Sequence, residues 1–365
     1  MTESDGRASP GGAHARGGRP PTMREIAERA GVHISTVSRV LRQREPVDGW
    51  SPAAQRVREI AAELGYRPNP WAASLRTRRT TTIGAVMPRL TDGVVATIYG
   101  GIEEAARASG YSVLLSSPPD DQADQHTAIE LLIGRQVDGL LLSSLHSPAA
   151  DFVTTLGASV PIVAVNRHAD AGLPSVTGDD RHGGYLAGRH LIERGYRRPA
   201  VIGGPAHATT GRDRVDGFLD AVAEDGLVIG PDRILHAGFD VEGGVAAAHW
   251  LLDGGDRPDA IFAASDAIAL GVLGVARDLR LRIPDELGLV GYNDIPVAAQ
   301  LPVPLTTVAT PARRIGSAAV RMLLELIGGG PPWPESDGDD GAGAPRELLP
   351  VTLAERGTTR PAVRA

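Results

Sequence analysis

The chain has 365 residues, enough for two or three domains with cores of their own, and its 42% hydrophobic content argues against general disorder. It contains no cysteine, which excludes disulfides, thiolate–zinc sites and cysteine nucleophiles, and it lacks the run of about eighteen apolar residues that predicts a membrane span. Residues 1–80 hold 14 arginines against 8 acidic residues, whereas the rest of the chain holds 23 against 36. A basic head that suits nucleic acid therefore precedes an acidic body.

The N-terminal segment, residues 1–21, is rich in glycine, alanine, serine and arginine. It lacks the apolar stretch of a secretory signal. We therefore expect a disordered arm on a protein that stays in the cytoplasm.

Two short helices separated by a tight turn are predicted next, over residues 23–30 and about 34–41. Thr22 and Glu25 have the spacing of a capping box, and Gly31 suits the turn. The apolar residues of the second helix can face the first, which leaves an outer surface of Ile34, Ser35, Thr36, Ser38 and Arg39. Short hydroxyls and an arginine in this place can reach base edges in the major groove, so the pattern predicts a helix-turn-helix. The alternative is a helical hairpin that only packs.

A third helix is predicted from Ser51 and Pro52 to residues 64–65, followed by a basic linker. Asn69 could cap one or two further helical turns, which are too short to be stable alone in water. Leu75 flanked by arginines has the composition of a minor-groove wedge. The alternative is an ordinary interdomain linker.

These segments closely resemble the headpiece and hinge of the lactose-repressor/galactose-repressor (LacI/GalR) family of bacterial transcription regulators. The resemblance rests on Arg24-Glu25-Ile26-Ala27, Ala30-Gly31-Val32, Ser35-Thr36-Val37-Ser38-Arg39-Val40-Leu41, Leu64-Gly65-Tyr66-Arg67-Pro68-Asn69 and Ala72-Ala73-Ser74-Leu75, and continues weakly to about residue 360. It implies a homodimer on a pseudo-palindromic operator in double-stranded DNA. The DNA contacts that it implies are made by Thr22, Ile34, Ser35, Thr36, Ser38, Arg39, Asn69, Ala72, Leu75 and Arg76.

The acidic body alternates apolar runs with helical stretches, which predicts doubly wound parallel α/β sheets. The predicted strands are 83–87, 113–117, 139–143, 162–165, 200–203, 260–264 and 287–292, and the predicted helices include 98–109, 127–136, 184–194, 212–225, 245–252 and 267–279.

The family resemblance implies that this body is a two-lobed core, similar to periplasmic binding proteins, that the chain crosses three times. We expect a helix-turn-helix domain over 22–66, a hinge over 67–80, a first lobe over 81–178 and 309–344, and a second lobe over 179–308 and 345–360. The crossings are expected near 176–180 and 305–310 and after the loop 328–345, with a last strand at 348–353.

An effector is expected between the lobes, where strands end. Arg214 matches the family's ligand-binding arginine, whose guanidinium can hold hydroxyl or carboxylate oxygens; the alternative is a surface salt bridge. Asn166 and Asn293 stand where relatives often carry aspartate, and Phe239 matches a stacking aromatic but could equally belong to the core. Ser265 is expected near the cleft, with Asp266 as the N-cap of the following helix. The predicted effector contacts are Asp92, Asn166, Thr210, Arg214, Phe239, Ser265 and Asn293.

The loop over residues 88–95 departs from the family pattern. Relatives often carry paired aromatics there, whereas this chain carries Val94 and Val95, which disfavours an aromatic base or a stacked sugar face. The turn over residues 44–50 is also longer than usual in the family.

The sequence offers little support for an enzyme, because it contains no phosphate loop, dinucleotide fingerprint, zincin motif or nucleophile elbow. A transporter's solute-binding protein should carry an export signal and no headpiece, and an enzyme fused to a helix-turn-helix would need a catalytic set in the cleft. The sequence therefore predicts a transcription regulator, typically a repressor, without cofactor, metal or membrane contact. Its operator affinity would be controlled by a sugar or related polyol.

Overall fold

The computed structural model describes residues 21–41, 50–66, 79–143, 145, 160–168, 173–329 and 344–361. The chain divides into two compact units, Met1–Arg78 and Arg79–Ala365. Across the described ranges, no helix is long and apolar enough to cross a membrane.

The first unit is a three-helix cluster of α1 (Met23–Ala30), α2 (Ile34–Val40) and α3 (Pro52–Glu63). Gly31 ends α1 in the left-handed region, with φ of 66°, which glycine adopts at no steric cost. The predicted helices are confirmed with bounds within about a residue. The side chains predicted to join α2 to α1 pack in one cluster, together with Val57 of α3. Ile26, Ala27, Ala30, Val37 and Val40 are buried in it, and the predicted Leu41 packs against it partly buried.

The second unit contains two six-stranded sheets. The first lobe has a wholly parallel sheet in the order β11-β5-β4-β3-β1-β2, flanked by helices. Its elements are β1 (Thr82–Val86), α4 (Gly93–Ala108), β2 (Ser112–Ser116), α5 (Gln122–Gly134), β3 (Leu140–Leu142), β4 (Ile162–Val165), β5 (Ser175–Gly178), α10 (Ala312–Ile327) and β11 (Arg346–Leu349).

The second lobe has the order β12-β10-β9-β8-β6-β7, in which only β12 runs antiparallel to its neighbour. Its elements are α6 (Asp180–Glu193), β6 (Pro199–Gly203), α7 (Thr209–Glu224), β7 (Ile234–His236), α8 (Val241–Leu252), β8 (Ala260–Ala263), α9 (Asp266–Asp278), β9 (Gly288–Asn293), β10 (Thr306–Ala309) and β12 (Thr352–Ala354). All seven predicted strands are present, each within one residue of its predicted ends.

One part of the predicted lobe division is wrong. Residues 345–360 were expected in the second lobe with a single strand at 348–353, but β11 pairs with β5 in the first sheet and β12 pairs with β10 in the second. Pro350 lies between them, and its missing N–H cannot continue a sheet ladder. The chain therefore makes its third crossing at Pro350 and Val351. The other two crossings come directly after β5 and β10. Most of the residues expected to form them, 176–180 and 305–310, therefore belong to these strands.

Two glycines let α6 and α7 pack backbone to backbone. A Cβ atom on Gly184 would overlap the carbonyl oxygen of Arg214, and one on Gly217 would overlap that of Arg181. This close approach fixes the position of the first turns of α7 against the start of α6.

Candidate functional site

A cavity lies between the two lobes, at the carboxyl ends of both sheets. Residues that follow β1, β2, β3 and β4 line it from the first lobe, and residues that follow β6 and β7 or end β9 line it from the second. Six of the seven predicted effector residues lie together on its wall, namely Asp92, Asn166, Thr210, Arg214, Phe239 and Asn293.

Arg214 projects from the second turn of α7 and is almost wholly buried. Its Nε donates to Asp180 Oδ1 at 2.7 Å and its Nη1 to the carbonyl oxygen of Ala264 at 2.8 Å. The guanidinium carbon lies 3.7 Å from the centre of the Tyr292 ring, which adds a cation–π contact. These contacts fix the position of the guanidinium on the cavity wall. The alternative of a surface salt bridge is wrong, because the partner carboxylate is itself buried.

Burial disfavours the charged forms of Asp180 and Arg214, and the charge of each residue counteracts this effect on the other. Burial raises the pKa of the Asp180 carboxyl, and the charge of Arg214 counteracts that rise. Burial disfavours the charged form of Arg214, but the Asp180 carboxylate outweighs it and raises the pKa of the guanidinium. Burial, reinforced by the Asp180 charge, raises the pKa of Tyr292, so that its phenol stays protonated. Arg214 and Asp180 therefore stabilise each other's charged form beneath the cavity.

Arg89 and Phe239 join the two lobes through the cleft. Arg89 Nη2 donates to Asp92 Oδ2 at 2.9 Å and to the carbonyl oxygen of Phe239 at 3.0 Å. The same guanidinium lies 5.5 Å from the Phe239 ring centre. Asp92 also caps α4, since its Oδ1 accepts from Val94 N at 3.0 Å. Phe239 lines the cavity and also packs against the second lobe's core.

The two asparagines adopt backbone conformations that suit them. Asn166 follows β4 with φ of 67°, and Asn293 ends β9 with φ of 109°. Asparagine enters the positive-φ region more readily than most residues, which helps to aim a side-chain amide from a strand end. Thr310 Oγ1 donates to Asn293 Oδ1 across a long 3.4 Å.

Sequence reasoning missed a second buried ion pair on the cavity wall. Arg167 donates from Nη1 and Nη2 to the two carboxylate oxygens of Asp120, at 3.2 and 2.9 Å. Gln125 Nε2 adds a 3.0 Å hydrogen bond to Asp120. Both residues of the pair follow strands at the carboxyl edge of the first sheet, which is the signal that could have indicated them. Each cavity arginine is thus paired with a carboxylate: Arg89 with Asp92, Arg167 with Asp120 and Arg214 with Asp180.

The expected N-cap at the start of α9 is wrong. Ser265 is the cap, because its Oγ accepts from Ile268 N at 3.2 Å, and Asp266 is the first helical residue. The buried Asp266 carboxylate accepts from Thr307 Oγ1 at 2.6 Å and Ile295 N at 2.8 Å. Burial raises its pKa to about 6, although these two hydrogen bonds oppose the rise. Ser265 lines a neighbouring cavity that shares Arg89, Asp92, Val94, Phe239 and Asn293 with the first.

The headpiece presents the predicted outer surface of α2. Ile34, Ser35 and Arg39 are exposed, whereas Thr36 and Ser38 are half-buried. Thr22 caps α1 as expected, with its Oγ1 accepting from Glu25 N at 3.3 Å. His33 caps α2 instead of the usual hydroxyl or carboxyl residue, because its Nδ1 accepts from Ser35 N at 3.3 Å. Asn69, Ala72, Leu75 and Arg76 lie outside the described residues.

Comparison with known protein families gives two matches. The family described as bacterial regulatory proteins, lacI family, matches residues 22–69. A periplasmic binding protein-like domain matches residues 189–359.

Similar proteins cover nearly the whole chain. The ribose operon repressor of Haemophilus influenzae is 33% identical over 308 residues, which cover 84% of this chain and 92% of the relative. The HTH-type transcriptional repressor CytR of Escherichia coli K12 is 31% identical over 340 residues, with coverage of 93% and 96%. The Lac repressor dimer bound to operator and the anti-inducer ONPF superposes with a TM-score of 0.82 at 26% identity, covering 94% of this chain and 100% of that one. A complex of the transcriptional regulator CelR with cellobiose gives a TM-score of 0.68 at 32% identity, with coverage of 93% and 99%.

Proposed function

The chain belongs to the lacI family of bacterial regulatory proteins, and from that premise we propose that its effector is an uncharged, sugar-like molecule held between the lobes. The protein is a DNA-binding transcription regulator whose operator affinity responds to a small molecule. Its curated relatives are repressors, and we propose the same sense of regulation here and no catalytic activity.

The pairing of the cavity arginines carries the proposal. Arg89, Arg167 and Arg214 each bind a carboxylate, so the wall offers neighbouring donors and acceptors but little surplus charge. A hydroxyl group both donates and accepts, so one hydroxyl can bridge a guanidinium N–H and the carboxylate beside it. A phosphate or carboxylate can only accept, and it would meet Asp92 and Asp120 on the same wall.

We assign the polar contacts to residues on both walls of the cavity. Arg214 and Thr210 would bind hydroxyls from the second lobe, and Asn166 and Asp92 from the first. Asn293 faces both cavities, whereas Ser265 would contact only a ligand long enough to reach the neighbouring one. Phe239 offers one aromatic face and Val94 and Val95 offer aliphatic surface in the same cavity. The two valines leave any stacking to Phe239 alone, which suits a sugar ring contacted on one face better than a base held between two rings.

The headpiece supplies the DNA contacts of the proposal. The exposed face of α2 with Ile34, Ser35 and Arg39 would enter the major groove, and the apolar Ile34 could contact a thymine methyl group. Thr22, Thr36 and Ser38 would assist. The linker residues Asn69, Ala72, Leu75 and Arg76 would complete the contacts, with Leu75 as the minor-groove wedge. We place this activity at the chromosome, in the cytoplasm.

A homodimer would present two such headpieces to one operator. The Lac repressor that this chain resembles is a dimer on its operator. We propose that a second copy covers an apolar groove on the second lobe, whose wall includes Leu270, Leu273, Leu281, Ile283, Leu301 and Val303. Sedimentation of a Leu273→Asp variant tests this surface, since a charge there should yield monomers.

The effector proposal is tested by a thermal-shift screen of the full chain with pentoses, hexoses, disaccharides, polyols, nucleosides and sugar phosphates. An effector at a hundred times its Kd should stabilise the core by about 2.7 kcal/mol. Hits are then added to binding assays on an operator selected from a random duplex pool. An uncharged sugar or polyol should stabilise the core and change operator affinity, and Thr210→Val should weaken its binding. Binding confined to phosphorylated or carboxylated compounds would overturn the proposal.

A further inference from the structure

The first two turns of α7 serve two different surfaces. Thr210 and Arg214, four residues apart, line the cavity. The residues that precede each of them, Thr209 and Asp213, contact the first lobe instead. These two are also four residues apart. Residues four apart share a helix face, so one helix presents adjacent stripes to the ligand and to the opposite lobe.

The contacts across the lobes are specific. His168, which follows β4, places Nε2 2.9 Å from Asp213 Oδ2. The backbone of His168 is bound as well, since its N–H donates to Thr209 Oγ1 at 3.2 Å and its carbonyl oxygen accepts from that hydroxyl at 3.4 Å. Arg346, the first residue of β11, brings a guanidinium nitrogen to 3.7 Å from Asp213 Oδ2. We refer to His168, Thr209, Asp213 and Arg346 as the lobe latch.

The lobe latch differs from the other cross-cleft contacts because its residues do not line the cavity. Arg89 and Phe239 span the cleft, and so does Asp120 with His207, but Arg89, Phe239 and Asp120 all line the cavity. Of the residues that the structure describes on the cavity wall, none belongs to the latch. The side chains of His168 and Asp213 are only 13% and 19% exposed, so water screens their interaction less than it would a surface pair.

We propose that the lobe latch holds the cleft closed and that Asp213 is a positioning residue, which keeps Arg214 opposite Asn166 by tying α7 to the first lobe. The inference rests on the proposed effector site and adds to it the control of its closure. A ligand that binds the closed form loses apparent affinity by the factor by which closure is weakened. Removing the latch should therefore weaken effector binding by about tenfold without deleting any ligand contact.

The absence of cysteine from the chain permits a direct measurement of closure. Spin labels at Ala123→Cys in α5 and Ala246→Cys in α8 place one exposed label in each lobe. Mixing labelled protein with an excess of unlabelled chain leaves most dimers with a single labelled pair. Pulsed electron–electron double resonance then reports the distance between lobes with no effector present.

Asp213→Ala and His168→Ala should each shift the population toward longer distances, and the double variant should add little to either. The matched control is Asp220→Ala, on the same helix, which breaks an ion pair to Arg181 inside the second lobe. It should leave the distances unchanged. Asp213→Asn keeps an acceptor oxygen and should be intermediate, and circular dichroism melts identify any variant that fails to fold.

The outcomes separate the latch from the effector proposal. Distances for a folded Asp213→Ala or Asp213→Asn variant equal to those of the parent overturn the latch, whatever the effector proves to be. Longer distances with an unchanged Asp220→Ala control support it even if no sugar in the panel binds. D-Ribose serves as the first titration probe, and any panel sugar that stabilises the parent should bind Asp213→Ala about tenfold more weakly. If the sugar binds the parent and Asp213→Ala with equal affinity, the proposed coupling between the latch and effector binding is wrong.

Discussion

Replacing Arg214 by methionine should destabilise the core as well as remove a ligand contact. The side chains of Arg214 and Asp180 are 4% and 6% exposed, and Nε and Oδ1 are 2.7 Å apart. Methionine would leave Asp180 buried without its partner and would leave the carbonyl oxygen of Ala264 without a donor. Breaking a buried ion pair from one side typically costs about 3–5 kcal/mol. We expect a loss of that size in the free energy of unfolding at neutral pH.

The loss should depend on pH in a defined direction. Burial raises the pKa of the Asp180 carboxyl, and Arg214 counteracts the rise. Without Arg214 the pKa in the folded state lies further above its unfolded value, so the stability deficit is small at acidic pH and grows as the pH rises through the folded-state pKa. Neutralising the stranded carboxylate in the double variant Asp180→Asn/Arg214→Met should recover much of the stability. It should not recover the effector response.

Urea denaturation followed by circular dichroism at pH 5, 7 and 8 measures the stability of the three proteins. Operator binding with and without the effector measures the response. If Arg214→Met is as stable as the parent at pH 8, the ion pair does not support the fold as argued. If the double variant responds normally to the effector, Arg214 is not a ligand contact. The design matters because loss of response in Arg214→Met alone could follow from either role.

Three further predictions concern single sites. A Cβ atom on Gly204 would overlap the Phe239 ring, so Gly204→Ala should displace the ring and weaken effector binding about tenfold by calorimetry, with no polar contact removed. His33→Ala should remove the cap of α2 at a cost of about 1 kcal/mol, seen as faster hydrogen exchange of the Ser35 amide, and His33→Ser should restore protection. Burial raises the pKa of Asp266 to about 6, so its ionisation destabilises the fold as the pH rises from about 4 to 6. In urea melts between pH 4 and 7, the free energy of unfolding of Asp266→Asn should therefore come to exceed that of the parent by up to about 3 kcal/mol.

The sheets were predictable because a parallel strand covered on both faces is a continuous apolar run. Ile162–Val165, for example, is buried at all four positions and was predicted with its observed bounds. Short strands with threonine and serine, such as Ser175–Gly178 and Thr306–Ala309, lack that signal, and the sequence predicts crossings between lobes in their place. Their hydroxyls are buried, and those of Thr306 and Thr307 are satisfied by partners far along the chain.

Helix starts were predicted late for a related reason. The helix predicted from 98 begins at Gly93, and the one predicted from 212 begins at Thr209. Their first turns carry glycine, threonine and small residues, which break the apolar periodicity, yet those turns line the cleft. Apolar periodicity therefore does not identify the helical turns that line the cleft.

The pairing of Asp120 with Arg167 and of Asp180 with Arg214 could not be predicted from the local sequence. Asp120 and Arg167 are 47 residues apart, and Asp180 and Arg214 are 34 apart. Each pair forms only because the sheet order brings distant strand ends together. Family resemblance indicated Arg214, but neither resemblance nor spacing indicated the carboxylate that orients it.

Adjacent positions on α7 link the two proposals physically. Asp213 meets the first lobe and Arg214 meets the cavity, and the backbone between them is one peptide of a buried helix packed against α6 through Gly184 and Gly217. A rigid element of this kind cannot move one side chain relative to the first lobe without moving the other. A ligand bound to Arg214 and Asn166 therefore favours the same closed arrangement that the latch favours. By linkage, any change in closure that alters effector affinity must be matched by an equal effect of the effector on closure.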